Sequence, residues 1–450
     1  MSPEGTGAAE AGLSRFDLTM IVISLVIGMG IFRTPVDAAA GAQTPTIFFA
    51  AWIAAGLIAL CGALTFAEIG SRYPVTGGYF RISAHAYHPS FAFAITSVVV
   101  IANAASVAGV ALIGAAYLVP VIAPASDDPG LLQQLIAAAS LLLFFALNLF
   151  GLRASARAQN LLTAIKLLLL GGLISALFVA EPASTSVFHS ASTPEPVDAL
   201  KAFGVALIAT SFTYGGYQQT INFGAEVNDA RRVVPQAIAV GIAVIISLYL
   251  LTNLAYVRVL GFDALAGADS IAALLAAAAF GPTAANALSI LLFLAVLGFV
   301  NVTMLTNPRL LLAMSEEGVL PAVIARRSRG RGTPTIALCL FVGLALASLF
   351  AARTFEVILN YTMFLDSIGM ATSAATIFVL RRRTRDLDSS AIYKVRLYPW
   401  IPLLFIAAYL FVGASVARQD PSAATRGLGI FALLLVLSLL SRRRRRSSAG

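Results

Sequence analysis

Charge is scarce in this chain of 450 residues. Acidic and basic side chains together make up 11% of it, against roughly 25% in an ordinary soluble domain. That shortage excludes a soluble globule, whose surface would be one large apolar patch. It equally excludes a disordered chain, which needs high charge and few apolar residues. Cysteine is scarcer still. Cys61 and Cys339 both lie inside apolar runs and provide neither a disulfide framework nor zinc spacing. The three histidines, His85, His88 and His189, lie outside those runs. HExxH, CxxC and P-loop motifs are absent. No metal and no cofactor are therefore expected, and an enzyme would lack its catalytic constellation. The stretch up to Ser14 has no basic segment of the kind that opens a signal peptide, so cleavage there is not expected.

Apolar residues are abundant instead: 59% of the chain, with a mean hydropathy of +0.88. A bilayer span needs about 20 of them, so twelve spans would need roughly 240. Twelve apolar segments are legible, at 16–40, 45–70, 91–119, 131–150, 157–180, 200–223, 235–259, 284–313, 334–352, 355–381, 399–418 and 424–441. A thirteenth stretch, 263–280, is shorter and reads as a helical connection. The expectation is an all-α integral membrane protein with twelve transmembrane helices and a lipid bilayer as its solvent.

Net charge is +9, and its distribution sets topology rather than a nucleic-acid site. With the N-terminus inside, 23 of the 30 lysines and arginines fall on the inner side, six fall outside, and Lys166 lies mid-span. Both termini are thus expected in the cytoplasm. The arginine run 442–446 reads as a tail on the membrane surface, with no nucleic-acid partner.

Two segments interrupt themselves with glycine. The first contains Gly28-Met29-Gly30-Ile31-Phe32, and the sixth contains Phe212-Thr213-Tyr214-Gly215-Gly216-Tyr217. They open two five-helix halves, and an odd number of spans inverts the second half relative to the first. Matched broken helices at midplane point to a transport site between two inverted repeats. A break frees amides that attract an anion and carbonyls that attract a cation. The pair suits a zwitterion, the α-carboxylate and α-ammonium of an amino acid. Amides around Gly28, Met29, Gly30 and Ile31 are expected to take the carboxylate, and carbonyls near Phe212, Thr213 and Tyr214 the ammonium. The lining inferred from these spans is Ile27, Met29, Phe212, Thr213 and Tyr214, with Gly215 at the second break. It carries no fixed charge, which favours a neutral L-amino acid.

The chain resembles the amino acid–polyamine–organocation superfamily of permeases, in its L-amino-acid-transporter-like branch. GMGIF resembles that family's G-S-G-I-F, with Met29 in place of a small residue. The stretches Ala67 to Pro74, then Gly77-Gly78-Tyr79, resemble the segment after span two. SFTYGGYQ resembles F-A-Y-G-G-W-N, with Tyr217 in place of Trp. Gly224 to Val227 and Arg231 to Pro235 resemble a G-E-x-x-x-P-x-R-x-x-P segment in which Ala230 replaces the first proline. Asn307-Pro308-Arg309, Met314 to Pro321 and Tyr393 to Pro402 also match.

The resemblance implies a tail at 1–15, repeats at 16–180 and 200–381, two extra helices within 399–441, and a basic tail at 442–450. It implies that Phe212 gates the substrate. It also implies that Lys166 stands where sodium binds in sodium-coupled relatives, bridging span-one carbonyls near Ile27 and Gly28 to span eight near Asn301 or Thr303. Lys166 is then either a fixed positive strut or a proton acceptor, and sodium coupling is disfavoured in both cases. Asp366 is a structural carboxyl, a proton site or a subsite for a cationic side chain. Glu68 and Arg309 read as a gate or packing network with Glu226. Arg33 and Asp37 belong to the outer vestibule.

The expected function is sodium-independent amino acid transport by alternating access, proton-linked or exchanging, in a bacterial inner membrane. Polyamine, organic-amine or cationic amino acid transport on the same fold is the main alternative; a sensor or channel is the remote one. The loop at 120–130 has no cysteine, so no disulfide-linked glycoprotein partner is expected.

Overall fold

The computed structural model describes residues 13–28, 30–183, 196–268, 270–328, 332–351, 355–385 and 392–447. Some side chains within these segments are not described, among them Phe212, 355–363 and 440–447. Among the described residues the structure is helical, with two isolated backbone bridges and no strand.

The first half runs α1 (Arg15–Val26), α2 (Gly30–Ala42), α3 (Pro45–Arg72), α4 (Gly78–Ala86), α5 (Pro89–Ile122), α6 (Pro129–Leu149) and α7 (Leu152–Val179). Next come α8 (Pro196–Thr213), α9 (Ala230–Leu260), α10 (Phe262–Ala266), α11 (Ile271–Phe280) and α12 (Pro282–Glu316). Last are α13 (Thr335–Ala351), α14 (Phe355–Arg383), α15 (Trp400–Gln419) and α16 (Pro421–Ser447). Local chemistry sets the starts. Ser14 and Asp17 form a capping box on α1, while Thr44 and Asp128 cap helices that open with Pro45 and Pro129.

Nine helices among the described residues are long and apolar enough to cross a membrane. Within the expected spans 200–223, 334–352 and 424–441, which are not among these nine, the chain is helical too. α8 stops at Thr213 because the chain breaks there, α13 has 17 residues, and α16 is apolar over Ala424–Leu439. The connection expected at 263–280 is the short pair α10 and α11. Helix α4 was not anticipated, because its nine residues carry His85 and Arg81 and no long apolar run.

Packing follows from which face is polar. On α7, Leu161 and Leu168 are 64% and 76% exposed, two turns apart on the outward face, whereas Lys166 is fully buried. Outward leucines are what a helix in lipid presents, so this is a multi-pass membrane protein. Inside, α1 packs on α7 and α9, α8 on α2 and α3, and α12 on α5 and α7. The two broken segments therefore sit at the centre of the bundle.

Candidate functional site

The first break is a single tight turn. Ile27 has φ −74° and ψ 83°, and the Gly28 amide donates to the Val26 carbonyl at 2.8 Å, an inverse γ-turn. The Gly28 amide is thus already used, which corrects the expectation that it would serve a ligand. Among the described residues no turn bond reaches the amides of Gly30, Ile31 and Phe32 at the start of α2. These are the donors a helix start leaves free. Met29 and the Phe212 side chain lie outside the described residues.

The second break follows α8. Gly216 has φ +118°, and a Cβ there would overlap the Leu25 carbonyl of the first break. Only glycine suits both the backbone conformation and the space. Gly30 is the reciprocal contact: a Cβ on it would lie 2.7 Å from Thr213 Cγ2. Tyr249 on α9 ties the two ends together, its hydroxyl 3.1 Å from the Val26 carbonyl oxygen and 3.4 Å from that of Thr213. No sequence signal marked Tyr249, a lone tyrosine in an apolar span.

A cavity of about 190 Å³ opens between the breaks. Of the expected residues, Gly28, Gly30, Thr213, Gly215, Thr303 and Asp366 line it. The side chains of Ile27, Ile31 and Tyr214 are buried away from it, so Ile31 offers its amide only. Tyr214 instead packs edge-on to Trp52 at 5.8 Å and against Tyr249 at 5.1 Å, because apolar surface from α3 and α9 covers that side of the break. The expected charge-free lining is also corrected. Arg33, Asp37 and Asp366 all line the cavity. Arg33 and Asp37 belong to the polar continuation of α2, and Asp366 comes from α14, which the reading of spans one and six did not include.

Lys166 lies beside the cavity rather than in its lining. Its Nζ donates to the Ile27 carbonyl at 2.5 Å, to Ser24 Oγ at 2.9 Å and to the Ser24 carbonyl at 3.2 Å. The expected bond to Ile27 is present. Span eight meets this lysine at Gly298, where a Cβ would be 2.9 Å from Lys166 Cε. Asn301 is linked to it indirectly. Asn301 donates to Gln159 Oε1 at 2.8 Å, and Gln159 donates to the Ser24 hydroxyl at 2.5 Å. Thr303 turns its hydroxyl onto its own helix, at the Phe299 carbonyl. Gln159 was missed although a signal existed: Gln159, Thr163 and Lys166 form a polar stripe on one face of an otherwise apolar helix.

Glu68 and Arg309 are held separately, at the arginine-rich end of the bundle. Glu68 is fully buried and pairs with Arg72 at 2.7 Å and Arg381 at 2.6 Å, and it accepts the Val395 amide at 2.7 Å. Arg381 also lies over the Tyr398 ring. Arg309 pairs with Glu226 at 2.8 Å, as expected, and sits over Phe223. This second pair borders another cavity, of about 130 Å³, which Asn148 and Ser155 also line. Near this end, burial and the neighbouring Arg383 hold the His85 imidazole below its usual range.

Two glycine breaks in mutual contact, beside a cavity inside a multi-span helical bundle, define a membrane permease. The chain belongs to the amino acid permease family, whose model matches residues 13–439. It is 26% identical over 416 residues to the serine/threonine exchanger SteT of Bacillus subtilis (strain 168), covering 91% of this chain and 92% of that one. It is 26% identical to the b(0,+)-type amino acid transporter 1 of Mus musculus, over 89% of this chain and 82% of that one. With the large neutral amino acids transporter small subunit 2 of Mus musculus the identity is 28%, over 87% and 74%. The family and these relatives are permeases and transporters rather than enzymes.

Proposed function

We propose that the chain is a secondary transporter that carries amino acids across a bacterial cytoplasmic membrane by alternating access. The observation that carries this reading is the contact of the two breaks, Gly216 on Leu25 and Gly30 on Thr213, beside a cavity of about 190 Å³. The α-carboxylate goes to the free amides of Gly30, Ile31 and Phe32, where helix α2 begins and its dipole is positive. The α-ammonium goes to the carbonyl end of α8, at Phe212, Thr213 and Tyr214, with Phe212 as the gate. The names of the relatives, exchangers and transporters of amino acids, support the same cargo.

The spans form two inverted five-helix repeats, 16–180 and 200–381, followed by two helices within 399–441. Both termini lie in the cytoplasm, in keeping with 23 basic residues on that side against six on the other. Arg309 and Glu226 then close the cytoplasmic path, and Glu68 anchors that end. Transport needs no sodium, because Lys166 already brings an ammonium to the Ile27 carbonyl. The permease works without a disulfide-linked partner, as its 120–130 loop has no cysteine.

Uptake by purified protein in proteoliposomes tests this reading. A transporter saturates and shows counterflow of labelled amino acid. Flux that rises linearly with concentration would mark a channel, and binding without flux would mark a sensor.

A further inference from the structure

The cavity between the breaks is rich in acceptors. Arg33 is the one cation in its described lining, against the carboxylates of Asp37 and Asp366. Arg33 and Asp37 are exposed, one helical turn apart on α2, and Asp37 has an interaction of its own. Asp366 differs from them. It is half-buried, between α14 neighbours that are buried, with Leu365 at 8%, Ser367 at 2% and Met370 at 0% exposure. Among the described residues no hydrogen bond or ion pair reaches its carboxylate. The nearest hydroxyl in sequence, Ser367, donates to the Phe364 carbonyl instead.

Other acceptors share the lining. Gln219 Oε1 is buried without a partner. Asn103 uses its amide donor on Asn307 at 2.8 Å, which leaves its oxygen over. Thr303 has already donated its proton to Phe299. A carboxylate and amide oxygens in an apolar bundle are costly unless something donates to them. An apolar side chain cannot meet that demand, and a neutral polar one donates without balancing the charge. A cationic one can, and it also offsets the net negative charge of the lining. The cavity, at about 190 Å³, is well above the roughly 10–15 Å³ that holds one water and has room for several such groups.

We propose that Asp366 receives the cationic side-chain end of the substrate, so that the preferred cargo is a diamino acid of the lysine and ornithine class. This rests on the reading of the two breaks as the site of the α-carboxylate and α-ammonium. Gly30 and Thr213 of the breaks line the same cavity as Asp366 and Gln219, so one solute can meet both ends, and a lysine ammonium supplies the donors that Asp366 and Gln219 lack. The assignment replaces the neutral cargo that an uncharged lining would have selected.

The test compares labelled L-lysine with labelled L-norleucine, which has the same chain length but no side-chain amine, in proteoliposomes holding the full chain. Wild type should take up lysine with kcat/KM at least about tenfold above norleucine. Asp366→Asn should lower the lysine-to-norleucine ratio at least about tenfold, and Asp366→Glu should keep lysine ahead. Because the readout is a ratio within one preparation, a loss of folded protein does not imitate the result. Uptake of norleucine equal to or above that of lysine in wild type, or an unchanged ratio in Asp366→Asn, overturns the assignment alone. If none of the proteinogenic amino acids is bound or taken up, the reading of the breaks falls, and the assignment of Asp366 falls with it.

Discussion

The side-chain nitrogen of Lys166 stands 2.5 Å from the carbonyl oxygen of Ile27, the residue at which the first membrane helix breaks. The same nitrogen reaches the Ser24 carbonyl and hydroxyl one turn earlier. A side chain from α7 thus satisfies oxygens that the break releases inside the helical bundle. Replacing sodium by choline at constant pH should leave uptake unchanged. Lys166→Met should slow uptake about 10- to 100-fold, since a charge-assisted hydrogen bond contributes about 1.5–3 kcal/mol. A proton gradient distinguishes the two roles of the lysine. If Lys166 titrates, wild-type uptake responds to an inward gradient and Lys166→Met does not. If it is a strut, the pH profile of the residual uptake is unchanged.

The two breaks touch through Gly30 and Thr213, and this contact is open to a paired test. Gly30→Val should abolish uptake with expression retained, because its Cβ would already lie 2.7 Å from Thr213 Cγ2 and 3.0 Å from its hydroxyl. Gly30→Ala should lower uptake less. Adding Thr213→Ala to it removes both crowding atoms and should restore part of the loss. Initial rates for the single and double variants form a double-mutant cycle. Strict additivity would mean that the breaks do not press on each other.

The two ion-pair clusters should behave differently. Glu68 is fully buried between Arg72 and Arg381, and Glu68→Gln strands two arginines, at a cost of about 3–5 kcal/mol. Thermal unfolding in detergent should show that loss directly. The Glu226 side chain is 22% exposed where it meets Arg309, so Glu226→Gln should cost only about 1 kcal/mol of stability. Its main effect should be on transport rate, if the pair closes the path past the second cavity as proposed. A larger stability loss in Glu226→Gln than in Glu68→Gln would reverse these roles.

Much of this was legible in the sequence because membrane helices announce themselves one at a time. The breaks were visible as paired glycines, Lys166 as a charge inside an apolar run, and the Arg309–Glu226 pair as charges at span ends. Contacts between distant helices were not legible. Nothing local says that Tyr249 will bond the Val26 carbonyl, that Glu68 will meet Arg381, more than 300 residues later, or that Tyr214 will turn toward Trp52 rather than the cavity. Asp366 was noticed, but its place in the cavity wall depends on how α14 packs against the broken helices. The Gly28 amide was misassigned because a γ-turn and a free helix start look alike in a glycine motif.

Recognition of the two α-groups by the two breaks is the claim on which the rest depends, and competition binding tests it most directly. Purified protein is loaded with its best-transported labelled amino acid. Unlabelled parent, its α-amide and its decarboxylated amine are then added in turn. Each analogue lacks the carboxylate charge that the amides of Gly30, Ile31 and Phe32 are assigned to hold. Both should compete at least about tenfold more weakly than the parent, the loss expected for one charge-assisted contact. An amine that competes as well as its parent amino acid would contradict the account, and would make the chain a carrier of amines rather than of amino acids.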